Sequence, residues 1–189
     1  PWPTRNLLRT HEEYKCLPQQ DLSAQIQAIC AEQINEFALQ IDPTIPAILT
    51  AHIAASDATY SGSERTALIG QDPTLLTSTL ANPSFDYVAL GHIHKYQDLH
   101  KGSMPPVVYS GSLERIDFGE EHETKGFIIG SIDIEEGDPS KRTTHFEFIP
   151  VAARSFVTVE VEINQATSPT DQVLAAIKRK EISLSLIHI

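Results

Sequence analysis

Cysteine, methionine and tryptophan are nearly missing from this sequence, which holds two of the first, Cys16 and Cys30, and one each of the others. Two cysteines cannot form a disulfide framework, so both are expected to be reduced thiols of a cytoplasmic protein. The one methionine, Met104, lies far inside a chain that opens on Pro1, and the sequence is therefore expected to be part of a longer protein. No apolar run approaches the roughly 18 residues that cross a bilayer. The opening Pro1-Trp2-Pro3-Thr4-Arg5 also lacks the basic-then-apolar pattern of a secretory leader, and no membrane association is expected.

Positive charge is scarce as well. Fourteen Lys and Arg stand against 25 Asp and Glu, for a formal net charge of -11. That balance excludes a basic coat that neutralises phosphates by Lys and Arg alone. It does not exclude an enzyme of phosphodiesters, because bound divalent cations supply local positive charge that a residue count misses. With 189 residues, 41% of them hydrophobic and 21% charged, the chain is long enough and apolar enough to fold around a core.

Periodicity organises what is present. Leu22, Ile26, Ile29, Ile34 and Phe37 recur at helical intervals from Asp21 to Leu39, with Asp21 as the expected N-cap and Asp42-Pro43 as the stop. Pro46 to His52 is a short apolar run that suits a strand buried on both faces. A Ser/Gly-rich loop is expected over 53–65, and a brief helix after Asp72-Pro73. Phe85 to His94 is a second apolar strand that runs out into histidine. Beyond residue 105, strand candidates at 106–109, 126–134, 143–149 and 155–163 alternate with turns such as Glu135-Glu136-Gly137-Asp138-Pro139, which suggests an antiparallel meander. A last helix is expected over 171–180.

The chemistry concentrates at Gly91-His92-Ile93-His94. In extended backbone, side chains two apart share a face, so both imidazoles can serve one site, and Gly91 allows close backbone approach. His52 ends another strand of the same kind, and ligands of open α/β sheets collect beyond the carboxyl ends of strands. Three convergent imidazoles suit a transition metal better than Ca or Mg. A lone histidine at a strand end is more often a satisfied polar residue; the Gly-His-x-His spacing after an apolar strand tips the reading toward metal.

These residues carry a family resemblance. Ala51-His52, Ala89-Leu90-Gly91-His92-Ile93-His94-Lys95, the run from Tyr109-Ser110-Gly111-Ser112 through Glu114-Arg115-Ile116-Asp117-Phe118-Gly119-Glu120, and Lys125-Gly126-Phe127 resemble the later motifs of the calcineurin-like metallophosphoesterases, and within them the SbcD-type nuclease subunits. Gly-His-x-His marks only the superfamily; the Tyr109 to Glu120 run is more specific to this branch. The resemblance implies an α/β fold, a β-sandwich flanked by helices and here incomplete. It implies two Mn ions, with Mg or another divalent metal as the substitute, that hydrolyse phosphodiesters at DNA ends in repair, recombination and replication. It also implies an SbcC-like ATPase partner and a homodimer of the complete protein. Carried over, His52 and His92 would bind one metal and His94 the other. Ser112 would lie near the site and substrate in a shaping loop, and Arg115 would contact backbone phosphate of the DNA or, equally, pair with Glu114 or Asp117.

The departures matter too. The family's Asp-x-His, Gly-Asp-x-x-Asp and Asn-His-Asp segments, which supply the remaining ligands and the catalytic histidine, are expected upstream of this sequence, so no catalytic residue is assigned and the chain alone is expected to be inactive. Asp57 is expected to be a loop residue and Asp86 to open a strand. Residues 1–153 are assigned to the phosphoesterase domain and 154–182 to the start of a capping domain, with apolar surface exposed where missing parts should pack. The ending Leu184-Ser185-Leu186-Ile187-His188-Ile189 matches the translation of a sequencing-library adapter, so 183–189 is expected to be read-through. The alternatives are a phosphoesterase of small molecules and a non-catalytic binding or scaffold module.

Overall fold

A computed structural model describes residues 8–61, 73–164, 168–180 and 186–188. After a short 3-10 turn at Glu12–Tyr14, helix α1 spans Gln19–Gln40. Its N-cap is Pro18 rather than Asp21, which instead places its negative charge within the first turn, where the helix dipole favours it. The helix stops where expected: Ile41 turns to extended backbone, and Asp42 folds back to accept hydrogen bonds from the amide and hydroxyl of Thr44. Leu22, Ile26 and Ile34 are buried, while Ile29 and Phe37 remain exposed.

Strands β1 (Ile48–His52), β4 (Tyr87–Gly91), β5 (Gln97–Asp98) and β6 (Val107–Tyr109) form a sheet in the order β1-β4-β6-β5. The first three in that order run parallel and β5 is antiparallel to β6. Between them lie a two-residue pairing of β2 (Ala54–Ala55) with β3 (Thr74–Leu75) and the one-turn helix α2 (Thr77–Leu80). The expected loop begins at residue 56, and its 62–65 portion lies outside the described residues.

After a second 3-10 turn at Phe118–Glu120, β7 (Gly126–Glu135) and β8 (Asp138–Pro150) make a long antiparallel hairpin. Gly137, at φ 88°, turns the chain between them. Strand β9 (Phe156–Thr158), helix α3 (Pro169–Arg179) and β10 (Leu186–His188) follow, with β10 parallel to β9. The architecture is mixed α/β, as expected, a sheet flanked by helices and faced by a hairpin. The meander expected beyond residue 105 is restricted to β7 and β8. Val107, Val108 and Tyr109 are buried on both faces and join the parallel sheet beside β4 instead, because an apolar strand with no polar face needs cover on both sides.

The core lies between the helices and one face of the sheet, around Leu49, Leu80, Phe85, Val88, Leu90, Val107 and Tyr109. Each such side chain, fully buried, contributes roughly 1.5–3 kcal/mol. The other face meets the hairpin through Tyr87 against Phe146 and the stacked rings of Tyr96 and Phe148, 4.2 Å apart. A cleft of about 450 Å³ remains between them, lined by Pro46, Ile48, Tyr87, Ile128, Ile132 and Phe146 among others. Strand β1 therefore departs from the expectation of burial on both faces. It is an edge strand with Leu49 inside and Ile48, 55% exposed, on the open side.

Candidate metal centre

The placement of the histidines starts from an anchor at the opposite end of the sheet. Asp86, buried just before β4, exchanges two hydrogen bonds with Ala47: its amide donates to the Ala47 carbonyl and its Oδ2 accepts from the Ala47 amide, both at 2.8 Å. Its other oxygen, Oδ1, pairs with Arg142 Nε of the hairpin at 2.7 Å, and its carbonyl accepts from the Thr144 hydroxyl. The anchor sets Ile48 opposite Tyr87, and the parallel register then sets His52 opposite Gly91. Asp57 lies exposed in the loop after β2.

Glycine gives room at that last pairing. A Cβ on residue 91 would sit 3.1 Å from His52 Nδ1, so the bare backbone makes room for the imidazole. His92 then leaves the strand with φ 103°, a conformation that costs a non-glycine residue about 1–3 kcal/mol and that collects at functional sites. The two rings meet edge to face, with centroids 5.3 Å apart. The expectation that His92 and His94 share a face by strand alternation is corrected here: β4 ends at Gly91, and the positive φ of His92 breaks the two-residue repeat.

His94 is held by a different set of groups. Its Nδ1 lies 2.9 Å from Oε1 of Glu120, a side chain with no exposed surface. Glu120 Oε2 accepts from the Ile116 amide at 3.1 Å and pairs with Lys125 Nζ at 2.8 Å. Lys125, equally buried, gives its other bonds to Glu123 Oε2 at 2.9 Å and to the His94 carbonyl at 3.0 Å. Three acceptors match the three donors of an ammonium. Burial pushes the Glu120 carboxyl up, but the hydrogen bonds from Lys125, Ile116 and His94 outweigh it and leave the group below its ordinary range, hence ionised.

The Ser110-Gly111-Ser112 loop lies directly against His94. Gly111 has φ 77°, and a Cβ there would come within 2.7 Å of the His94 carbonyl oxygen, which accepts from the Ser112 amide. The Ser112 hydroxyl donates to the Glu114 carbonyl. Arg115 turns inward onto three backbone carbonyls, of Glu120, Glu123 and Arg154. The carboxylates named as its alternative partners serve backbone amides: Glu114 accepts from Arg154, and Asp117 from Gly119.

Among the described residues, no group of three or more His, Cys, Asp or Glu side chains is close enough to hold a metal ion. The structure thus brings His52 and His92 together and ties His94 to Glu120. The donor chemistry fits a divalent transition metal in part: two adjacent imidazoles at strand ends, and a third whose ring is held by a carboxylate, the usual support of a metal-bound histidine. Four or more ligands are needed to close such a site. Glu120 and Lys125 are the residues that sequence reasoning passes over. Both stand in recognisable runs, but spacing alone does not separate them from the neighbouring acids Glu121 and Glu123.

No protein-family model matches the chain. The curated proteins similar to it include two nuclease subunits. The SbcD subunit of the SbcCD nuclease from Rhodobacter capsulatus is 28% identical over 162 residues, 84% of this chain and 36% of that protein. Its counterpart, the SbcD subunit of the SbcCD nuclease from Staphylococcus epidermidis, is 30% identical over 122 residues, 65% of this chain and 29% of that protein. The chain therefore spans about a third of the length of the curated relatives it matches, and the resemblance to SbcD-type nuclease subunits is borne out.

Proposed function

We propose that this chain, a relative of the SbcD-type nuclease subunits, provides the metal-binding strand ends of a nuclease that hydrolyses phosphodiesters at DNA ends. His52 and His92 would hold one divalent ion and His94 the other, with Mn as the preferred metal and Mg as a substitute. A pair of such ions, when bound, lowers the pKa of the attacking water and stabilises charge on the phosphate. The reading rests chiefly on one observation: a glycine that clears space for His52 beside a His92 held in strained backbone.

The chain's own residues orient the donors. Asp86 fixes which residue faces Gly91, Glu120 holds the His94 ring, and Gly111 brings the Ser112 loop under the His94 backbone, where Ser112 would lie near the substrate. Arg115 acts on substrate through the shape of the loop it clamps. Residues 154–182 would begin a capping region that helps to hold DNA. An SbcC-like ATPase would be the partner of the complete, dimeric protein. Among the described residues no helix is long and apolar enough to cross a membrane.

The chain alone is expected to cleave no DNA, because the two ions lack their remaining ligands. The test is Mn-dependent cleavage of linear duplex DNA by a protein of full SbcD length that carries this segment, beside its His92→Ala variant. Cleavage lost in the variant supports the reading. Equal cleavage by both, or His92-dependent cleavage by the 189 residues alone, contradicts it.

A further inference from the structure

We infer that Glu120 is the positioning residue of His94: it holds the imidazole as the tautomer protonated on Nδ1, so that Nε2 carries the lone pair a divalent cation would use. The inference rests on the reading of His94 as a ligand for its purpose, but not for its geometry.

A carboxylate only accepts hydrogen bonds. Glu120 is kept ionised by Lys125 Nζ at 2.8 Å and by the Ile116 amide at 3.1 Å, so the proton in its 2.9 Å contact with His94 belongs to Nδ1 of the ring. The lone pair then falls on Nε2. The side chain of His94 is 30% exposed while that of Glu120 is fully buried, so the ring is gripped from the protein side and still reaches the surface.

The backbone is gripped by the same elements. The His94 carbonyl accepts from Lys125 Nζ and from the Ser112 amide, and the Cβ-free face of Gly111 lies against it. Lys125 thus ties both ends of the residue, the ring through Glu120 and the carbonyl directly. Arg115 closes the arrangement by binding the Glu120 and Glu123 carbonyls, which fixes the turn that carries Glu120. A buried Lys–Glu pair adds little stability over an apolar pair of the same volume. Its presence beneath a partly exposed imidazole is explained by what it orients.

The test is long-range proton–nitrogen NMR of the histidine rings in the 189-residue chain, with and without Mn. The expected result in the unsubstituted chain is a single His94 tautomer protonated on Nδ1; protonation on Nε2 overturns the inference with no variant needed. In Glu120→Gln the tautomers should mix, and Mn affinity read from broadening of the His94 signals should fall about 10- to 100-fold. Glu120→Asp should restore part of the tautomer preference, and Glu123→Gln should leave it unchanged. A tautomer that ignores Glu120→Gln also overturns the inference. If the tautomer is locked by Glu120 but Mn broadens no histidine in the unsubstituted chain or in a protein of full SbcD length, Glu120 still positions His94. The metal-binding reading is then the one that fails.

Discussion

At the scale of single residues, the site is built from backbone conformations as much as from ligands. His92 has φ 103° where L residues are strained, so replacing it tests whether the strain is real. His92→Gly should be more stable than His92→Ala by roughly 1 kcal/mol, since glycine adopts that conformation at no steric cost. Urea unfolding of the two variants measures the difference. Gly111 and Gly102 make a second pair. Both have positive φ, but a Cβ at 111 meets the His94 carbonyl oxygen at 2.7 Å, whereas at 102 nothing lies within 4 Å. Gly111→Ala should therefore lower the thermal midpoint clearly more than Gly102→Ala. It should also shift the His94 signals, which Gly102→Ala should leave in place.

At the scale of elements, two polar anchors decide where strands sit. Asp86 joins β1, β4 and the β7–β8 hairpin through Ala47 and Arg142. Asp86→Ala leaves the partly buried Arg142 without its carboxylate but still on the Pro43 and Pro139 carbonyls, at a cost below the roughly 3–5 kcal/mol of a fully buried broken pair, and hydrogen exchange should speed up through β1 and β8 together. Glu121 tethers β9 by accepting from the Thr158 amide at 3.1 Å. Hydrogen bonds from Thr158 hold its carboxyl below the ordinary glutamate range. A depressed pKa contributes stability that is present above the unfolded value, near 4.3, and is lost as pH falls through the folded one. Protection of the Thr158 amide against exchange, relative to its intrinsic rate, should hence hold at neutral pH, fall below about pH 4.3, and be weak at all pH values in Glu121→Gln.

The same elements show what can be read from the sequence. Apolar runs toward His52 and Gly91 mark both strands, and their unbroken hydrophobicity suits a parallel or mixed sheet, although β1 lies open on one face. The strand end at Gly91 is not legible, because alternation has no signal for a positive φ at a histidine. Val107 to Tyr109 reads with the later strands because three residues cannot reveal which neighbour they pair with. Glu120 and Lys125 stay hidden because their partner, His94, lies 26 and 31 residues away in sequence, and long-range ion pairs leave no periodic trace.

At the scale of the whole molecule, an acidic chain with little positive charge of its own is similar to nuclease subunits roughly three times its matched length. The open face of β1, the exposed Ile48, Ile129 and Ile134, and the cleft between sheet and hairpin fit a segment that folds within something larger. The central claim is that its strand-end histidines are ligands. It is tested most directly by calorimetric titration of Mn into a protein of full SbcD length carrying this segment, beside His92→Ala and His94→Ala. The account predicts two bound ions in the unsubstituted protein and fewer in each variant; equal binding in all three, or none in any, would contradict it.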